Sequence, residues 1–184
     1  VIFDIRRGGV LHTLRHSGPV NSVALDTAAN VAVTGSEDRT AIAWDLRTGK
    51  KIASLRHREA VQLVAISADG SLVLSVSKYD KAVVWRSHDG SVIAEMPLRA
   101  GRLKRGLRFT SARFSADNRL LLSGQTDQTV VLWQLENLNK TLWKIGTRRL
   151  WKPYGAAIID VAFTADPNRF RAMASNGFVY DLEV

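Results

Sequence analysis

An all-β fold assembled from repeated four-strand units is what the sequence predicts, on three observations. Short apolar segments ending in an aromatic residue recur at Ile2-Phe3-Asp4, Ile42-Ala43-Trp44-Asp45, Val83-Val84-Trp85, Val131-Leu132-Trp133 and Phe178-Val179-Tyr180-Asp181. Their aromatics stand 41, 41, 48 and 47 residues apart. A second series keeps step with the first: Val23-Ala24-Leu25, Val64-Ala65-Ile66, Ala112-Arg113-Phe114 and Val161-Ala162-Phe163. Third, no stretch sustains a helical period, while each unit holds runs of Val, Ile, Leu and aromatics separated by turn residues.

Taken in order, residues 1–5 read as the third strand of a unit and 10–15 as its fourth. Three full units follow, at about 16–55, 57–97 and 105–145, and three strands occupy 155–184. Within them, Val31-Ala32-Val33-Thr34-Gly35-Ser36, Leu72-Val73-Leu74-Ser75 and Leu120-Leu121-Leu122-Ser123-Gly124 supply the second strands. The turns before them are marked by Ser67-Ala68-Asp69-Gly70, Ser115-Ala116-Asp117-Asn118 and Thr164-Ala165-Asp166-Pro167. In the last unit Asn176-Gly177 reads as a shortened hairpin, with Tyr180 in the place of the earlier tryptophans.

Four short strands at a period of 40–45 residues mark a β-propeller blade. Ser36-Glu37-Asp38-Arg39-Thr40-Ala41-Ile42-Ala43-Trp44-Asp45-Leu46-Arg47-Thr48-Gly49 and Gly124-Gln125-Thr126-Asp127-Gln128-Thr129-Val130-Val131-Leu132-Trp133 resemble the strand–turn–strand motif of the WD-repeat β-propeller family. The resemblance covers almost the whole chain. It implies a single propeller domain over 1–184, with four to four and a half antiparallel four-stranded blades in an incomplete ring. The count favours the C-terminal part of a longer, seven-bladed propeller, and the irregular repeats suit a bacterial member.

Composition narrows the function classes. Twenty-six Lys and Arg against 17 Asp and Glu give a net charge of +9, which favours acidic partners of any kind. The absence of cysteine excludes disulfides, thiolate catalysis and cysteine-ligated zinc, and leaves cytoplasm and periplasm equally open. No apolar run reaches the about 18 residues that span a bilayer. The four histidines, at 12, 16, 57 and 88, have no paired metal-ligand spacing, and no glycine-rich phosphate loop appears. No cofactor or metal site is expected.

His16, Thr34 and Asp38 hold the ingredients of a base, a nucleophile and an orienting carboxylate. The family resemblance implies a structural role instead: with Trp44 they match a buried hydrogen-bonded tetrad that ties strands to a tight turn. His57, Ser75 and Trp85 repeat the set in the second full blade, where Asp80 falls one residue late and Tyr79 takes the aligned place. Ser123, Asp127 and Trp133 repeat it in the third, with Arg105 at the His position; in the last blade Tyr154 stands there. A set that decays from blade to blade reads as scaffold, and no catalytic residue is assigned.

The charge pattern points to a rim. Arg99, Arg102, Lys104, Arg105 and Arg108 occur without one acid in 99–108, and Lys144, Arg148, Arg149 and Lys152 follow in 144–152 beside Trp143, Trp151 and Tyr154. Both stretches link the last strand of one blade to the first of the next. They are expected on the same edge as the turns carrying Glu37, Lys78 and Thr126. The function expected is a non-catalytic scaffold that binds a protein or peptide, with a basic patch suited to an acidic partner. Solvated loops that merely keep the protein soluble are the plainer alternative. Binding of nucleic acid or an anionic surface is the second candidate, and a propeller enzyme ranks last.

Overall fold

The computed structural model describes residues 1–4, 6–78, 80–97, 108–135, 156–166 and 169–183. The chain divides into two compact units, Val1–Glu95 and Met96–Val184, each described by itself. In the first unit β1 (Ile2–Asp4) and β2 (Gly9–His12) form a two-stranded sheet. β3 (Val20–Asp26), β4 (Val31–Ser36), β5 (Thr40–Asp45) and β6 (Lys51–Arg56) form a four-stranded one. β7 (Val61–Ile66), β8 (Leu72–Ser77), β9 (Lys81–Arg86) and β10 (Val92–Pro97) form another. In the second unit β11 (Phe109–Phe114), β12 (Leu120–Gln125) and β13 (Val130–Gln134) make one three-stranded sheet. β14 (Ile158–Phe163), β15 (Arg169–Ala174) and β16 (Val179–Glu183) make a second. In every sheet each strand lies beside its neighbour in the chain, as in β1–β2, β3–β4, β7–β8, β11–β12 and β14–β15, which pair antiparallel.

Local sequence explains the regularity. The second strands β4, β8 and β12 are short β-branched or leucine-rich runs buried along nearly their whole length, as strands packed on both faces should be, whereas β15 alternates exposed and buried residues. All four first strands carry a register shift near their start, at Val20/Ser22, Val61/Leu63, Phe109/Ser111 and Ile158/Asp160. One extra residue there bends the strand as it enters the sheet.

Apolar faces meet between sheets inside each unit. In the first, Val33, Ala41, Ala43 and Ala53 pack with Val61, Val64, Val73, Val83 and Trp85. In the second, Leu122, Val130 and Leu132 pack with Ile158, Val161, Phe170 and Ala172. Glycine sets the approach in both places. A Cβ on Gly35 would stand 2.5 Å from Val61 Cγ1, and one on Gly124 would stand 2.5 Å from Ile158 Cγ2. Gly35→Ala is therefore expected to cost about 1–3 kcal/mol through overpacking. Urea unfolding reads this directly, and an unchanged midpoint would contradict the close packing.

The fourth sheet corrects two expectations. Phe170 pairs with Leu182 there, as Ala32 pairs with Trp44, Val73 with Trp85 and Leu121 with Trp133. Leu182, not Tyr180, thus holds the tryptophan place, and Tyr180 sits opposite Ala172. The hairpin is not shortened either. Met173 pairs with Val179 as Gly35 pairs with Ala41 and Gly124 with Val130, so each turn has the same length. Gly177 takes the left-handed backbone position (φ 85°) that Arg39 and Gln128 take (φ 71° each). Aromatic spacing had placed Tyr180 by its likeness to the preceding motifs; strand register decides otherwise.

Candidate interaction rim

The turn after each second strand is built the same way. The backbone N–H of Glu37 donates to Pro19 O (2.9 Å), Lys78 to Ala60 O (2.9 Å), Thr126 to Arg108 O (3.0 Å) and Ser175 to Ala157 O (2.8 Å). Each bond joins residues 18 apart and fixes the point where the chain enters a sheet. Glu37, Lys78 and Thr126 therefore occupy equivalent exposed positions, each on its own sheet. Ser175 is the fourth of the set, a position that a shortened hairpin at Asn176-Gly177 would hide. The common 18-residue offset from the strand entrance would have located it. Glu37 is engaged on the rim: Asn21 Nδ2 donates to its Oε1 (3.0 Å) and also to Val61 O (2.9 Å), and Gln62 Nε2 approaches the same carboxylate at 3.5 Å.

Beneath the first of these turns lies a directed hydrogen-bond chain. Trp44 Nε1–H donates to Thr34 Oγ1 (2.7 Å), which lies 2.6 Å from His16 Nε2, and His16 Nδ1 lies 2.9 Å from Asp38 Oδ2. With the Thr34 hydroxyl proton on Nε2, the Nδ1 proton goes to the carboxylate. Asp38 also accepts from the backbone N–H of Ser17 and of Thr40 (2.9 Å each) and from Thr40 Oγ1 (2.6 Å). Burial alone would raise its carboxyl; the hydrogen bonds from Thr40, His16 and the two amides outweigh it and hold Asp38 well below the usual carboxylate range. A nucleophile needs an open oxygen, but Thr34 is buried and its oxygen already accepts the indole proton. Chemically the arrangement is a clamp joining strand, turn and the residues ahead of β3.

The other copies are incomplete in different ways. In the second sheet Trp85 Nε1–H donates to Ser75 Oγ (3.0 Å), and His57 Nε2 lies 2.8 Å from the same oxygen. His57 Nδ1 has no hydrogen-bond partner, nor does the buried Oδ2 of Asp80. Burial, reinforced by the Lys81 charge, pushes the His57 imidazole down to about 4. In the third sheet Trp133 Nε1–H donates to Ser123 Oγ (2.9 Å), and Asp127 Oδ1 accepts from the Thr129 amide (3.1 Å) and hydroxyl (2.5 Å). The fourth sheet keeps the carboxylate's turn function in Asn176, whose Oδ1 accepts from the Phe178 amide (3.2 Å). Ala172 and Leu182 replace the hydroxyl and the indole with apolar groups.

Of the basic residues singled out, Arg108 lies among the described residues. Arg102, Lys104, Arg105, Arg148, Arg149 and Lys152 lie outside them, as do Arg99, Lys144, Tyr79 and Tyr154. Arg108 is exposed, and its backbone N–H reaches Thr126 Oγ1 (3.3 Å), doubling the bond from Thr126 to its carbonyl. Ala157 makes the same pair with Ser175 (3.1 Å to Oγ). Among the described residues no group of three or more His, Cys, Asp or Glu is placed to hold a metal ion, and no helix is long and apolar enough to cross a membrane.

Antiparallel sheets, each packed face to face with the next inside a unit and repeating one turn and one junction, define a β-propeller. The family profile described as WD domain, G-beta repeat matches residues 8–45 and 105–134. Those two segments are thus similar to WD repeats, and the fold is that of a β-propeller. Among solved structures it is similar to the β-propeller domain of Cps50 (Swd1) from Myceliophteria thermophila, at 17% identity and a TM-score of 0.76. That match covers 100% of this chain and 58% of the other. The computationally designed Ika4 protein matches at 21% identity and a TM-score of 0.73, covering 96% of this chain and 99% of that one. The designed Ika8 protein matches at 21% and 0.72, covering 99% and 51%. The chain thus spans little more than half of two of these structures. No curated protein matches it.

Proposed function

We propose that this chain is a non-catalytic interaction scaffold whose partner is an acidic protein or peptide, held at the rim where its two basic linking segments enter the sheets. The observation that carries this is the partition of charge. Residues 98–107 and 136–155 carry nine of the 26 Lys and Arg and one of the 17 Asp and Glu, a net +8 of the whole chain's +9. The described residues, by contrast, hold 17 Lys and Arg and 16 Asp and Glu. Charge needed only for solubility would be spread over the sheets as well. Instead the sheets are nearly neutral and the excess lies in the two segments that run into Arg108 and Ala157. Those two residues are bonded to the rim residues Thr126 and Ser175. Rigid sheets with variable linking segments suit binding at small ordering cost.

The test is binding of an Asp/Glu-rich peptide and of a single-stranded oligonucleotide, by fluorescence anisotropy at low and high salt. The peptide should bind, and more weakly as salt rises. If each exposed pair contributes about 0.5 kcal/mol, replacing Arg102, Lys104 and Arg105 together by Ala should weaken it about tenfold. Peptide affinity indifferent to salt and to the triple replacement would reject the patch. Binding of the oligonucleotide in preference to the peptide would reassign it to nucleic acid.

A further inference from the structure

We propose that the outer edge of the first unit, where β2, β6 and β10 leave their turns, binds an anionic lipid bilayer through cations and protruding aliphatic side chains. This does not rest on the acidic-partner reading. The turns ahead of these three strands repeat every 41 residues. Each closes on a left-handed glycine whose N–H donates four residues back: Gly8 to Asp4 O (2.8 Å), Gly49 to Asp45 O (2.8 Å) and Gly90 to Arg86 O (2.9 Å). Turns and strand starts carry Arg6 and Arg7, then Arg47, Lys50 and Lys51, then Arg86, and all six are exposed.

The acids of these turns face inward. Asp4 Oδ1 accepts from the backbone N–H of Arg6 (2.9 Å) and Arg7 (3.0 Å), and Asp45 Oδ1 from Arg47 (2.8 Å) and Thr48 (2.9 Å). Asp89 Oδ1 accepts from Ser91 (2.8 Å). Each carboxylate is occupied by its own turn, while the cationic heads stand in water. The near-neutral total of the sheets therefore hides a local excess: residues 4–11, 45–52 and 86–93 hold six Lys and Arg against three Asp.

Beside the cations stand aliphatic side chains that the strands push outward. Ile2 pairs with His12 and Phe3 with Val10, so Leu11 is an extra residue bulged from β2. Ala43 pairs with Ala53 and Trp44 with Lys51, which bulges Ile52 from β6 in the same way. Leu11 and Ile52 are 51% and 38% exposed, and Ile93 of β10, 41 residues beyond Ile52, is also 38% exposed. Ile52 and Ile93 belong to complete four-stranded sheets, so their exposure is a property of the outer strand itself. Packing brings successive groups together. A Cβ on Gly49 would stand 2.6 Å from His12 Cγ, His12 Nε2 lies 2.9 Å from Arg47 O, and a Cβ on Gly90 would stand 3.8 Å from Ala53 Cβ. Bulges and an edge lysine discourage an added strand, and protruding knobs offer a peptide no groove. A bilayer interface needs no groove: it accepts single aliphatic side chains among anionic headgroups that attract the cations.

Sedimentation with vesicles of equal parts phosphatidylcholine and phosphatidylserine tests this, against vesicles of phosphatidylcholine alone. The chain should bind the mixed vesicles only, and less as salt rises. Each cation near an anionic surface contributes roughly fivefold in affinity, so replacing Arg47, Lys50 and Lys51 together by Ala should weaken binding about a hundredfold. Replacing Arg102, Lys104 and Arg105 by Ala should weaken it far less. The chain has no cysteine, so Ile52→Cys and Thr126→Cys each take an environment-sensitive dye at one place. On mixed vesicles the dye at 52 should shift to the blue and the dye at 126 should not. No binding to mixed vesicles, a blue shift at 126 alone, or equal weakening by the two triple replacements overturns the proposal. So does an Asp/Glu-rich peptide whose binding is weakened by the replacement at 47, 50 and 51 and not by the one at 102, 104 and 105, which would assign this edge to a protein.

Discussion

Trp85→Ala is expected to lower the free energy of unfolding by about 3–5 kcal/mol. Trp85 is fully buried in the apolar cluster between the first unit's two four-stranded sheets, and its loss both opens a cavity and removes the donor to Ser75. Trp85→Phe separates the two effects: it keeps a ring in place and drops the hydrogen bond, for about 1–2 kcal/mol. The fourth sheet shows a way to avoid the polar penalty. There both partners are apolar, Ala172 and Leu182, and no buried hydroxyl is stranded. Trp133→Leu combined with Ser123→Ala should accordingly cost about 1 kcal/mol less than the two single changes added together. Guanidinium unfolding of the two Trp85 variants, of Trp133→Leu and Ser123→Ala singly, and of their combination gives these values. A loss below about 1 kcal/mol for Trp85→Ala would mean that the cluster does not hold the sheets together.

Periodicity made the sheets legible because every blade solves the same packing problem with the same strand lengths. The aromatic at the end of each third strand was the visible marker, and it misled only where the chemistry had changed. Phe178-Val179-Tyr180-Asp181 copies the look of Ile42-Ala43-Trp44-Asp45, yet the pairing of Arg169 with Glu183 and Phe170 with Leu182 shifts it by two residues. Composition alone does not carry strand register, since register follows which side chains fit the facing sheet. Position on the rim was likewise legible for Glu37, Lys78 and Thr126, since a fixed offset from the strand entrance places them. What Glu37 does there was not, because Asn21 and Gln62 belong to different sheets and meet it only in three dimensions. For the basic segments, sequence conveys charge and the points where they join the sheets. Loop residues have no period from which their arrangement could be read.

Acid should destabilise the protein in two separable steps. Burial first, and then the Lys81 charge, hold His57 at about 4 against an ordinary 6.5, with Asp80 and Glu95 opposing more weakly. Unfolded chains take up the imidazole proton near pH 6.5, whereas the folded protein resists until about pH 4. Between those values the unfolded state binds more protons, so stability falls as pH falls. The contribution is complete above pH 6.5 and gone by about pH 4, a span worth about 3 kcal/mol. Asp38 acts lower on the scale. Its carboxyl is held below its ordinary value, so its contribution persists down to the normal carboxylate range and is lost only below it. The difference between the two blades is where the acidic residue falls. His16 has Asp38 at Nδ1, while the His57 Nδ1 finds no acceptor and Asp80 is one residue displaced. His57→Gln should therefore flatten the stability curve between pH 6.5 and 4 and leave the lower step intact, while Asp38→Asn should do the reverse. Chemical denaturation across that pH range decides it: a His57→Gln protein that still loses stability between pH 6.5 and 4 as the parent does would show that the blade-two histidine does not set the upper limb.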